Sequence, residues 1–136
     1  MTTNTYINLP VADLDRTRRF FSALGFTFDD RFSDETALAM VISESCAAML
    51  LTHDKFRQFT PRPVADARAA TEVLTCLQLD SREAVDRMVE AALAEGGADI
   101  REPQDHGFMY GRAFQDPDGH IWEVIWMDPA QMPPKQ

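Results

Sequence analysis

Apolar and polar residues alternate at the start of the chain. Ile7, Leu9 and Val11 fall on one side; Tyr6, Asn8 and Pro10 fall on the other. A period of two predicts a strand with one face on a core. Pro10 brings no N–H to a ladder, so it belongs near the strand's end or on an unpaired side. The period then lengthens. Leu14, Thr17, Phe20, Phe21 and Leu24 recur at helical spacing. Asp13 stands at the N-cap, and Gly25 stops the helix. Short strands are predicted over 26–32, 37–43 and 47–52, with polar turns between them. Residues 55–70 break the pattern with Pro61, Pro63 and basic side chains. They read as an exposed connector with a short helical turn near 56–59.

The first pattern then returns. Val73, Thr75, Leu77 and Leu79 alternate with Glu72, Leu74, Cys76 and Gln78. Asp80 or Ser81 caps a second helix, and Glu83 offers Asp80 a capping box. Val85, Met88, Val89, Ala92 and Leu93 form its apolar stripe, and Gly96 and Gly97 end it. Strands are predicted near 98–101, 108–115 and 120–127, before a tail containing Pro129, Pro133 and Pro134. The two halves match in order: strand, capped helix, glycine stop, three strands. An internal repeat of this kind sets the organisation of a chain. The prediction is an α+β fold of two βαβββ modules, 1–54 and 71–128, joined by a connector at 55–70 and followed by a tail at 129–136. One helix covers one face of a four-stranded sheet. Pairing the modules would curve the remaining faces into a concave cup, the kind of place where ligands bind.

The second module's hairpin carries the sharpest chemistry. Asp116, Pro117, Asp118 and Gly119 have the composition of a tight turn. Ile121, Trp122, Val124, Ile125 and Trp126 then make a strand apolar on both faces. Glu123 interrupts it, and an enclosed carboxylate needs a cation, a donor or water. A plain two-residue turn places Arg112 opposite Glu123, whereas a bulge at Gly119 places Ala113 there. The sequence leaves both open. His106, Tyr110 and Gln104 cluster between the late strands, where His can move protons and Tyr can donate a hydrogen bond.

Bulk properties narrow the partners. A net charge of −9 argues against a nucleic-acid backbone. No apolar run approaches the roughly 20 residues of a membrane helix. The first residues lack the basic and apolar regions of a signal peptide, so a cytoplasmic location is expected. Cys46 and Cys76 fit no metal-binding spacing, and Cys76 is expected to be buried within its strand.

The stretches NLPVADLDRTRRFFSALGF (8–26) and AFQDPDGHIWEVIW (113–126) resemble the vicinal oxygen chelate superfamily, which includes glyoxalase I, extradiol dioxygenases and bleomycin-resistance proteins. The likeness is nearest to the bacterial glyoxalase-like proteins described as predicted lactoylglutathione lyases. It implies a homodimer and a small-molecule ligand in the cup. In metal-using members, ligands come from the first and last strands of each half. Carried over, those positions fall on Tyr6 or Asn8, on Leu50, on Leu74 with Glu72 two residues earlier, and on Glu123. Only Glu123 matches. A divalent ion needs three or four protein ligands, so this set is mostly missing. The expectation is therefore a binder without a complete metal site. Tyr6, Asn8, Glu72, Cys76, His106, Tyr110, Arg112 and Trp122 are the candidate ligand-binding residues, and Glu123 is the candidate catalytic group. The alternative is a lyase or isomerase of the glyoxalase type in which a divalent metal ion binds Glu123.

Overall fold

The computed structural model describes residues 3–131. The chain forms two compact units divided between Asp66 and Ala67. In the first, strand β1 (Thr5–Val11) leads to helix α1 (Leu14–Ala23). The Asp13 carboxylate accepts the Arg16 N–H at 3.1 Å and caps that helix. Gly25 then takes φ +100°, and the chain leaves the helix. Strands β2 (Thr27–Phe28), β3 (Ala37–Ser43) and β4 (Cys46–Thr52) follow. The expected strand over 26–32 shortens because Asp29 accepts from the Arg31 backbone and turns the chain into a single 3₁₀ turn.

These strands form one mixed sheet in the order β1, β4, β3, β2, with β1 parallel to β4. Ile7, Leu9, Ala48, Leu50, Leu38 and Met40 share one face by register. The last four are almost wholly buried, as are Phe20 and Phe21 of α1. Tyr6, Asn8, Ala47 and Met49 lie on the opposite face. Helix α2 (His53–Arg57) starts at the end of β4, earlier than the turn predicted at 56–59. The hydroxyl of Thr52 accepts the Lys55 N–H at 3.2 Å and nucleates it there.

The second unit repeats the scheme with β5 (Leu74–Gln78), α3 (Arg82–Ala94), β6 (Ala98–Asp99), β7 (Gln104–Asp105), β8 (Met109–Gln115) and β9 (Ile121–Met127). Ser81, not Asp80, caps α3, and its hydroxyl accepts the Ala84 N–H at 3.0 Å. The third helical position is therefore Ala84, and the capping box with Glu83 does not form. The sheet order is β5, β9, β8, β6, with β7 also on the outer edge of β8. Sequence periodicity missed β7, which is two residues long and polar. Val85, Val89 and Ala92 of α3 are buried. Two βαβββ modules, each a mixed sheet with one long helix, make this the expected α+β fold. No helix among the described residues is long and apolar enough to cross a membrane. The expected tail lies outside the described residues beyond Gln131; Pro129–Gln131 form one short turn.

The hairpin between β8 and β9 is built on Asp116, which is 2 % exposed. One carboxylate oxygen accepts the backbone N–H groups of Asp118 at 2.9 Å and His120 at 3.0 Å. The other accepts the indole N–H of Trp122 at 3.0 Å. Burial pushes the carboxyl up from its usual range, while the His120 side chain and the N–H donors pull it down. Gly119 closes the turn at φ +95°. A Cβ there would lie 2.7 Å from Arg68 Cγ and 2.9 Å from Arg68 N, and the Arg68 side chain also donates to the Pro117 carbonyl.

Gly119→Ala is therefore expected to cost more than about 2 kcal/mol by urea unfolding, from positive φ and backbone contact together. Gly96→Ala at φ +98°, with nothing within 4 Å of its Cβ position, isolates the φ component. Equal losses from the two variants would show that the Arg68 contact contributes nothing.

Candidate functional site

Register decides where Glu123 points. In the observed hairpin Ala113 lies opposite Glu123 and Arg112 opposite Val124. The bulge reading of Gly119 is therefore the one adopted. On β5, Cys76 pairs with Glu123. Glu123 thus shares a face with Leu74, Cys76, Gln78, Gly111, Ala113, Gln115, Ile121 and Ile125. The other face carries Tyr110, Arg112, Phe114, Trp122, Val124 and Trp126, and α3 packs against it.

This parity places three candidate ligand residues on the helix side of the sheet, on the face opposite Glu123. Trp122 is 0 % exposed and spends its indole N–H on Asp116, so it belongs to the core rather than to a cavity. The Tyr110 hydroxyl donates to Asp86 Oδ1 at 2.7 Å. That contact holds the Asp86 carboxyl low, while burial and Asp86 push the Tyr110 phenol up. Arg112 Nη1 reaches Asp86 Oδ1 and Glu90 Oε1, both at 3.1 Å. Tyr110 and Arg112 therefore fasten β8 to α3. Arg82 sits over the rings of both Tyr110 and Trp126, and its guanidinium grips Asp105 through two 2.9 Å hydrogen bonds. That pairing holds the Asp105 carboxyl far below its ordinary range.

The remaining candidates are dispersed. Glu72 is exposed and precedes β5 instead of lying on it. His106 is exposed in the turn between β7 and β8, its ring tilted against Phe108. Asn8 lies opposite Met49 on the first sheet's unhelixed face, and Leu50, the position carried over for a metal ligand, is buried on the other. Tyr6 shares Asn8's face and is 58 % exposed. With Arg31, Phe32, Val41 and Ala47 it lines an open depression of about 360 Å³ in the first unit.

The partner of Glu123 is a residue that sequence reasoning missed. Arg101 Nη1 lies 2.7 Å from Glu123 Oε2, and both side chains are half-buried. Arg101 lies between β6 and β7 on the outer edge of the sheet, two strands from β9. Across the hairpin, Glu123 faces Ala113, whose side chain is only a methyl group. No periodic signal marks such a residue, because it lies between two-residue strands. Cys76, expected to be buried, is exposed on the same face. Partial burial raises its thiol pKa above the ordinary 9.0; Glu123 raises it further and Arg101 opposes.

The donors on this face do not fit a divalent ion. Glu123 supplies one carboxylate, already facing a guanidinium, and Cys76 supplies a thiol held protonated. Among the described residues, no three His, Cys, Asp or Glu side chains are grouped to hold a metal.

The electrostatics have a measurable sign. In a Cys46→Ser background, the pH midpoint of Cys76 alkylation by iodoacetamide is expected above 9.0. Glu123→Gln removes a negative charge beside the thiolate, so it should lower that midpoint; Arg101→Gln should raise it. Shifts of opposite sign would mean that the three groups do not interact as placed.

Comparison with known proteins fits this architecture. A hypothetical protein, SA1046 from S. aureus, is 25 % identical, with TM-score 0.78 over 93 % of this chain and 94 % of that one. A glyoxalase/bleomycin resistance protein/dioxygenase family enzyme from Burkholderia phytofirmans PsJN is 19 % identical, with TM-score 0.73 over 90 % and 96 %. The fosfomycin resistance protein FosX from Mesorhizobium loti is 15 % identical, with TM-score 0.64 over 96 % and 94 %. The last two likenesses bear on the fold alone. No curated protein matches the chain. Residues 4–124 match the family model itself, and the chain belongs to the Glyoxalase/Bleomycin resistance protein/Dioxygenase superfamily.

Proposed function

We propose that this chain binds a small organic molecule on the face of the second sheet that α3 leaves uncovered, around Glu123, and that its own side chains hold no divalent ion there. The observation that carries this reading is the Glu123–Arg101 pair, half-buried on that face at 2.7 Å. A charged pair set among apolar neighbours gives a ligand both an orienting contact and area to bury. Leu74, Ile121 and Ile125 supply the apolar area, and Leu74 is 50 % exposed. The hairpin that fixes Glu123 on this face is held by a buried carboxylate, so the site rests on a rigid element. Family membership supports a cavity on such a sheet face. The reading does not require catalysis.

A protein-observed NMR screen of a fragment library is expected to yield binders that shift the amides of Cys76, Ile121 and Ile125. Mn, Ni and Zn salts are expected to move Tm by less than about 1 °C, since ligand stabilisation follows RT ln(1 + [L]/Kd) and no site is assembled for them. Binders that leave this face untouched would refute the site. So would stoichiometric bound metal that Glu123→Gln removes, which is the behaviour of a metal-dependent lyase or isomerase.

A further inference from the structure

Arginine carries five N–H donors in a planar fork. Arg101 spends few of them. Its Nη1 meets Glu123 at 2.7 Å, while its Nε is buried and has no acceptor among the described residues. A buried donor without an acceptor keeps its desolvation cost uncompensated. The resting position of Arg101 therefore leaves the fork underused, and a new acceptor reached by a small rotation would be favourable.

The backbone around Arg101 is held on both sides. Before it, β6 pairs with β8 at Gln115 and Phe114. After it, β7 pairs with β8 at Gly111 and Tyr110, and Arg82 clamps Asp105. A guanidinium on a tethered segment is pre-organised as an anchor, because little chain entropy is lost when it binds. The side chain is 32 % exposed, so part of it stands open to a ligand. Leu74, Ile121 and Ile125 share the face of its partner Glu123. In a chain of net charge −9, this face offers an anion a local positive group.

We propose that Arg101 anchors a carboxylate of the bound molecule, attached to an apolar body, and that Glu123 is the resting partner which this carboxylate displaces. This rests on the reading of the face as a small-molecule site. A planar oxyanion matches the guanidinium fork in two-point geometry, which a lysine or a lone amide cannot supply. Glu123 competes with the ligand for Arg101, so the internal carboxylate weakens anion binding and excludes weakly basic acceptors.

The test titrates the intact chain with benzoate and with benzamide, its neutral isostere, following the Arg101 Nε–H resonance and the amides of Cys76, Ile121 and Ile125. Benzoate is expected to saturate on the order of 1 mM, as suits a fragment of this size. Benzamide is expected to bind about tenfold more weakly, Arg101→Gln to reduce benzoate to that level, and Glu123→Gln to tighten benzoate about tenfold, since each change removes or frees a charge-assisted contact. Unchanged amide shifts elsewhere confirm that the variants are folded. Equal binding of both probes, insensitive to Arg101→Gln, overturns the anchor while leaving the small-molecule site standing. Weaker benzoate binding in Glu123→Gln overturns the competitor role. A face that responds to neither probe removes both the inference and the site it rests on.

Discussion

Asp116 gathers the N–H groups of Asp118, His120 and Trp122 around a carboxylate nearly out of reach of water. Everything at the candidate site follows from that arrangement. The two backbone donors fix the turn, so the strand pairing has one register. The indole donor ties Trp122 to the helix-side core. With Trp122 held there, strand alternation obliges Glu123 to face the other way. A proton on the oxygen that meets Trp122 would oppose the indole N–H, so the ionised form suits the donors even as burial resists it.

Much of the architecture was legible in the residues, for definite physical reasons. Asp13 and Gly25 bracket α1 because capping and positive φ are local requirements. Ala37–Ser43 is a strand because its apolar run is short and bounded by polar turns. Faces were harder to read. The β9 strand is apolar on both sides, so its periodicity cannot say which side meets the helix. Trp122 and Glu123 are neighbours on one strand and face opposite ways whatever the turn; what the turn decides is the partner across the hairpin, and the bulge at Gly119 puts Ala113, not Arg112, opposite Glu123. Arg101 was illegible for a different reason. Its partner Glu123 lies two strands away, and no local rule couples residues at that separation.

The repeat keeps the order of its main elements, with β7 added in the second module, and is unequal in chemistry. Asp13 and Ser81 cap the two long helices. Counting from those caps, Asn8 of the first module corresponds to Cys76 of the second. Asn8 pairs with Met49, and Cys76 pairs with Glu123. The first pair holds no ionisable group; the second holds a carboxylate and a thiol, with an arginine laid across. The modules share a frame, and at these corresponding strand positions only the second carries ionisable groups.

The segment that delivers Arg101 also shapes the border of its sheet. The outer side of β8 meets two short pieces, Ala98–Asp99 and Gln104–Asp105, with a gap between them, and the first sheet likewise finishes in the two-residue β2. At the first sheet's other margin, β1 carries Pro10, which has no N–H to offer. Long, flat margins recruit foreign backbone and seed fibrils; broken or proline-bearing ones are poor templates. A break that lets an arginine reach inward therefore also makes that margin a poor template for cross-β aggregation.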